Sequence, residues 1–180
     1  MKTKALLLLL LGVLATTGST CINDGFLIAV NLPMSGCFAI NPGPNLNFSG
    51  SVTIRLSEQI DVSYIDDISS VRYYDIRVST LGTYTGSVSG IGYINNIPLV
   101  TYSGQWSDFA TPQSLLQNSP RIQTQQAGLN EVLRVLNQFK TDPNTSAVLS
   151  STGSLAGQSP VPAGLSVCIE ILAQVDVKVQ

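Results

Sequence analysis

The stretch Leu165–Val179, LSVCIEILAQVDVKV, decides the fold. Leu165, Val167, Ile169, Ile171, Ala173, Val175, Val177 and Val179 take every second place, and most of the residues between them are polar. Successive side chains of a strand point to opposite faces, so a period of two gathers the apolar ones on one side. A helix would scatter the same residues around its circumference. The segment therefore predicts a long, half-buried strand, which needs a second layer to cover its apolar face.

Working outward, the same alternation returns. In NFSGSVTIRL, Phe48, Gly50, Val52, Ile54 and Leu56 share one face, with Ser49, Ser51, Thr53 and Arg55 on the other. Tyr74, Ile76, Val78 and Thr80 repeat it. GTYTGSVSGIGYI and IPLVTYSGQW flank Asn95 and Asn96, which tolerate positive φ, and so predict a hairpin with a tight turn. FLIAVNLPMSGCFAI predicts an opening strand or two, interrupted near Pro33 and Gly36, and NPGPN at 41–45 is a turn. One amphipathic helix is expected near 126–140, where Leu129, Val132, Leu133, Leu136 and Lys140 fall at helical spacing with Phe139 beside them. Shorter helical turns are expected at Ser57–Ile68 and, with Pro112 in its first turn, at Thr111–Gln117. Strands before and after a lone helix give a mainly β fold, an antiparallel two-sheet β-sandwich with the helix closing one end.

The N-terminus has a different character. MKTK supplies two lysines, and Ala5–Ala15 is an unbroken apolar run. As a helix that run would rise about 16 Å, against a hydrocarbon core of roughly 30 Å. Residues 1–20 therefore read as a signal peptide, 21–47 as a tether and first strand region, and 48–180 as the sandwich body, one domain with 21–47. A basic head, a leucine core, small residues and then Cys21 resemble a bacterial lipoprotein signal, in which the cysteine is acylated. Gly18 and Thr20 stand where such signals usually carry Leu and Gly or Ala. Three readings of Cys21 stay open: acylation, secretory cleavage within Thr17–Cys21, and an uncleaved anchor. If acylated, Cys21 makes the membrane a partner, each buried methylene contributing about 0.8 kcal/mol. The chain is expected to be exported, either lipid-anchored in a bacterial envelope or secreted.

Three cysteines are an odd number for an exported chain. Lipid on Cys21 would leave Cys37 and Cys168 as a pair; the alternative is two separate buried thiols. No C-x-x-C spacing supports a redox or zinc site.

Composition removes further chemistry. The chain has no histidine, which excludes Ser-His-Asp and Cys-His nucleophile systems and H-E-x-x-H zinc sites. Charged residues make up 11% of the chain, well under the roughly 25% of ordinary domains. Removing residues 1–20 takes two of the nine Lys and Arg and none of the eleven acids, leaving a net charge of −4. With its few basic residues scattered, the chain is not expected to bind nucleic acid. Glu58, Asp61, Asp66 and Asp67 lie within ten residues and offer hard oxygen ligands for calcium. Their spacing departs from the D-x-D-x-D-G loop, and a solvated acidic turn is the plainer reading. No other metal and no cofactor is expected. Tyr102 and Trp106, with Tyr73, Tyr84 and Tyr93, raise a sugar-stacking platform as an alternative to core packing.

ISSVRYYDIRVS after an acidic turn, LNEVLRVLNQF, SAVLSSTGSL and the closing VCIEILAQVDVKV together resemble a group of small, uncharacterised bacterial envelope lipoproteins. The resemblance implies an immunoglobulin-like sandwich on an envelope surface and transfers no catalytic residues. The expected function is therefore a non-enzymatic envelope protein, a binding or structural module for an unidentified envelope or extracellular partner. Two alternatives accompany it. One is a subunit of a surface fibre or adhesin assembled by strand addition. The other is a carrier of an apolar ligand between the sheets, which would need a cavity above about 300 Å³.

Overall fold

The computed structural model describes residues 26–59, 68–142 and 144–179. Its strands are β1 (Phe26–Ala39), β2 (Asn47–Arg55), β3 (Ile68–Leu81), β4 (Gly86–Ile94), β5 (Ile97–Gln105), β6 (Gln113–Ser114), β7 (Ile122–Thr124), β8 (Ser146–Gly157) and β9 (Ser166–Val179). Among the described residues one α-helix, α1 (Gln126–Phe139), lies between β7 and β8. The strands form two antiparallel sheets, ordered β1-β9-β3-β6 and β2-β8-β4-β5-β7.

The alternating segment at the C-terminus becomes β9, which pairs with β1 on one side and β3 on the other. Val167, Ile169, Ile171, Ala173, Val175 and Val177 are buried. They meet Val88, Ile94, Val100 and Leu149 of the facing sheet in one hydrophobic core. At about 25 cal/mol per Å² of apolar surface removed from water, such side chains stabilise the sandwich by roughly 1.5–3 kcal/mol each.

Connectivity follows from the pairings. β1 runs against β9, β2 against β8, β3 against β6 and β4 against β5, so the chain is a hairpin nested within hairpins. Rolling that ribbon puts β1, β3, β6 and β9 in one layer and β2, β4, β5, β7 and β8 in the other, which is jelly-roll winding within the sandwich class. An immunoglobulin sandwich instead groups its strands as ABED and CFG.

The β4–β5 hairpin turns at Asn95 and Asn96, whose φ of 48° and 65° suit a primed turn. The helix buries Val132, Val135, Leu136 and Phe139 and packs on β5 and β3. It approaches closely at Gly128, where an added Cβ would stand 2.4 Å from Leu99 Cα and Pro98 O.

Three local expectations are corrected. FLIAVNLPMSGCFA is one uninterrupted strand, because β1 is a sheet edge and Pro33 needs no outward N–H there. Ile40 N–H donates to Leu165 O at 2.9 Å, so even-numbered residues of this continuous register bond to β9 and odd-numbered ones, Pro33 among them, face outward. Thr111–Gln117 contains β6 in place of a helical turn, since Gln113 and Ser114 pair with Val78 and Arg77. In β3 a register irregularity between Tyr73 and Asp75 leaves Tyr74 37% exposed, while Asp75, on the outer face with Arg77, is buried beneath the 113–116 segment. Of the turn expected at Ser57–Ile68, Leu56–Glu58 forms a short 3-10 turn, and 60–67 lie outside the described residues.

Candidate functional site

The two outer faces of the sandwich differ in chemistry. The four-stranded sheet carries ions: Arg77 Nε lies 2.7 Å from Asp75 Oδ2, and Arg77 Nη1 lies 3.8 Å from Glu170 Oε2. Further along, Arg72 donates to Gln174 Oε1 and lies 3.9 Å from Asp176, which also accepts from Ser70 Oγ.

The five-stranded sheet presents hydroxyls over most of its outer face, with Arg55 and its partner Glu58 at the end of β2. Asn47–Ile54, β4, β5, β7 and β8 contain no charged residue. Inner positions are fixed by burial of Phe48, Ile54, Val88, Ile94, Val100, Tyr102, Leu149 and Leu155, which turns the alternate residues outward. The registers then align Ser49, Thr152, Ile91, Thr101 and Gln123 in one row across all five strands. Asn47, Ser154, Ser89 and Ser103 form a second row, and Ser51, Ser150 and Tyr93 a third. Strand spacing makes the longest row about 19 Å wide, at roughly 4.8 Å per step. Hydroxyls both donate and accept, and Ser and Thr lose little rotamer freedom when ordered.

Two shallow clefts adjoin the β7 margin of this sheet. One, of about 180 Å³, is lined by Thr101, Tyr102, Ser103, Pro120, Arg121 and Gln123. The other, of about 280 Å³, is lined by Leu115, Asn118, Ser119, Ile122, Gln123 and Thr124. Arg121 is held at the first by Asp108, its Nε donating to Asp108 Oδ2 at 2.7 Å. That hydrogen bond keeps the Asp108 carboxyl below the ordinary range, helped by the Gln105 N–H. Both clefts are at the rim, not between the sheets.

Beneath the hydroxyl face, Tyr102 Oη and Ser151 Oγ form a buried hydrogen bond of 2.7 Å, and Ser151 Oγ donates to Ile91 O at 3.3 Å. Burial pushes the Tyr102 hydroxyl up to about 12. Its ring also meets Phe109 edge-on at 6.2 Å. Trp106 is equally enclosed: its Nε1–H donates to Gly82 O at 3.0 Å and its ring meets Tyr84 edge-on at 5.7 Å. Of the five aromatics weighed for sugar stacking, Tyr84, Tyr102 and Trp106 are buried, while Tyr73 and Tyr93 are half-buried.

The other candidate residues are dispersed. Cys21, Asp61, Asp66 and Asp67 lie outside the described residues. Glu58 pairs with Arg55 at 3.2 Å on the surface. Cys37 and Cys168 face each other in the β1–β9 register as a disulfide, on the outer side of the four-stranded sheet. Among the described residues no group of three His, Cys, Asp or Glu side chains is placed to hold a metal ion, and no helix is long and apolar enough to cross a membrane. The hydroxyl rows were missed at the level of residues; their signal was the run of strands without charge.

No family model and no curated protein matches the chain. Among solved structures it is similar to a chain of Desmodium yellow mottle tymovirus, 12% identical, spanning 92% of this chain and 98% of that one at a TM-score of 0.36. A chain of tobacco necrosis virus is 8% identical over 93% of this chain and 97% of that one, with a TM-score of 0.35. Dimeric latent PorU from Porphyromonas gingivalis is 11% identical over 88% of this chain and 14% of that one, with a TM-score of 0.34.

Proposed function

We propose that this chain is a non-enzymatic, exported envelope protein, anchored by lipid on Cys21, that acts as a binding module through the outer face of its five-stranded sheet. The observation that carries the reading is the charge-free array of Ser, Thr and Gln on that face, set against the ion-paired opposite face. A charged partner would find no counter-charge along those rows. An apolar one would cover hydroxyls without replacing their hydrogen bonds with water, at about 1–3 kcal/mol for each group left unmet. The face therefore suits a neutral partner rich in hydrogen-bonding groups, engaged without salt dependence. Intact mass of the protein from its native host tests the anchor: acyl chains on Cys21 are expected, and a plain cleaved mass removes it. Screening against broad hydrolase substrates tests the rest, and turnover would end the non-enzymatic reading.

A further inference from the structure

The free edge of β1 is unusual for an edge strand. It runs 14 residues without a bulge in its register to β9 and without one charged side chain. Natural edges are ordinarily blunted by charge, bulges, shortness or proline, because unpaired N–H and C=O groups invite another strand. Here the sole such device is Pro33. Towards its C-terminal end β1 is approached by β2, where Val52 lies against Gly36 and Gly50 against Phe38. From Phe26 to Pro33, among the described residues, no strand pairs with the other side.

Register fixes which groups are offered. Odd-numbered residues point their backbone groups away from β9, so Ala29 and Asn31 each present an N–H and a C=O, and Pro33 a carbonyl alone. Ile28 beside them is 50% exposed although it falls on the inward-facing side of the strand.

We infer that β1 pairs with β1 of a second copy, antiparallel about a two-fold axis passing beside Val30. This choice of axis sets Ala29 opposite Asn31 of the second copy, and the reverse, using every outward N–H and C=O of those four residues. It brings Ile28 of each copy diagonally against Val30 of the other and covers apolar surface that the single chain leaves in water. Pro33 falls at the end of the pairing, where its missing N–H costs least. A two-fold pairing closes on itself, so the product is a dimer with two four-stranded sheets merged into one, not a fibre.

Sedimentation equilibrium of the full chain in density-matched detergent tests this, with two double variants at exposed positions. Ala29→Lys with Asn31→Lys sets lysine opposite lysine twice and is expected to raise the dimer dissociation constant about ten-fold or more. Ala29→Lys with Asn31→Glu sets lysine opposite glutamate twice and is expected to stay paired like the parent chain. Only the proposed register separates the two variants, and association through any other surface would leave them alike. A monomeric parent chain, an open-ended polymer, or equal behaviour of the two variants would overturn the dimer. None of these outcomes bears on the binding face of the other sheet.

Discussion

Asn95, at the tip of the β4–β5 hairpin, donates from Nδ2 to Glu131 Oε1 on α1 at 2.7 Å, while its Oδ1 accepts from Val148 N–H at 2.9 Å. A single side chain in the left-handed region thus ties hairpin, helix and β8 together. Arg134 completes the arrangement, its Nε and Nη2 donating to the two Glu131 oxygens at 2.7 and 2.6 Å.

That cluster predicts a pH dependence. Arg134 chiefly, and Asn95 in addition, hold the Glu131 carboxyl below the ordinary glutamate value, against the cost of its burial. A carboxyl with a lowered folded pKa binds protons less readily in the folded state than in the unfolded one. Its stabilisation is therefore complete above the unfolded glutamate value and is lost as pH falls through the folded value. Glu131→Gln should flatten the acid limb of a plot of unfolding free energy against pH. An acid limb unchanged in the variant would mean that the cluster contributes nothing.

Asp75 is wholly buried and accepts from Ser114 Oγ at 2.8 and 2.9 Å, from Leu116 N–H at 3.3 Å and from Arg77 Nε at 2.7 Å. It fastens the 113–116 segment to β3. Asp75→Ala strands those donors, and we expect a loss of about 2–4 kcal/mol, against about 1 kcal/mol for Ser114→Ala. Urea unfolding checks this, the midpoint falling at constant slope.

Gly128 sets two effects against each other. Helix propensity alone favours Gly128→Ala by about 1 kcal/mol. The new Cβ would meet Leu99 Cα and Pro98 O at 2.4 Å, and these are backbone atoms of a paired strand that cannot swing aside. Overpacking of this kind costs roughly 1–3 kcal/mol, so the substitution should lower the thermal midpoint. A raised midpoint would show that α1 stands further from β5.

Cys37 and Cys168 are 131 residues apart in sequence. In the chain-entropy account a loop of that length stabilises by up to about 5 kcal/mol, and the β1–β9 ladder remains when it is opened. Replacing both cysteines by serine should therefore leave a folded protein with a lower urea midpoint. Equal midpoints for the variant and the unreduced parent chain would mean that the two sulfurs are not joined.

Much of the fold was legible because it rests on local pattern. The period of two in Leu165–Val179, the paired asparagines of the β4–β5 turn and the helical spacing around Leu136 each specify an element without reference to distant residues. What escaped depends on partners far along the chain. Pro33 reads as a break until the edge position of β1 leaves its N–H unneeded. Asp75 reads as a surface residue of an alternating strand until Ser114, 39 residues on, and the segment around it cover it. The nested order of strands is set by which apolar faces meet, and alternation alone cannot rank those meetings. For the same reason the hydroxyl rows were invisible residue by residue: Ser49, Thr152 and Thr101 become neighbours only through three separate registers.

The account depends most on β9 lying between β1 and β3. Cross-strand Hα–Hα contacts in solution NMR test it directly, because they arise at the widely bonded pairs of an antiparallel ladder. Leu172 should show one to Pro33 on one side, and Ile171 one to Ile76 on the other. Absence of either contact, or fast amide exchange along 166–178, would contradict the nested sandwich.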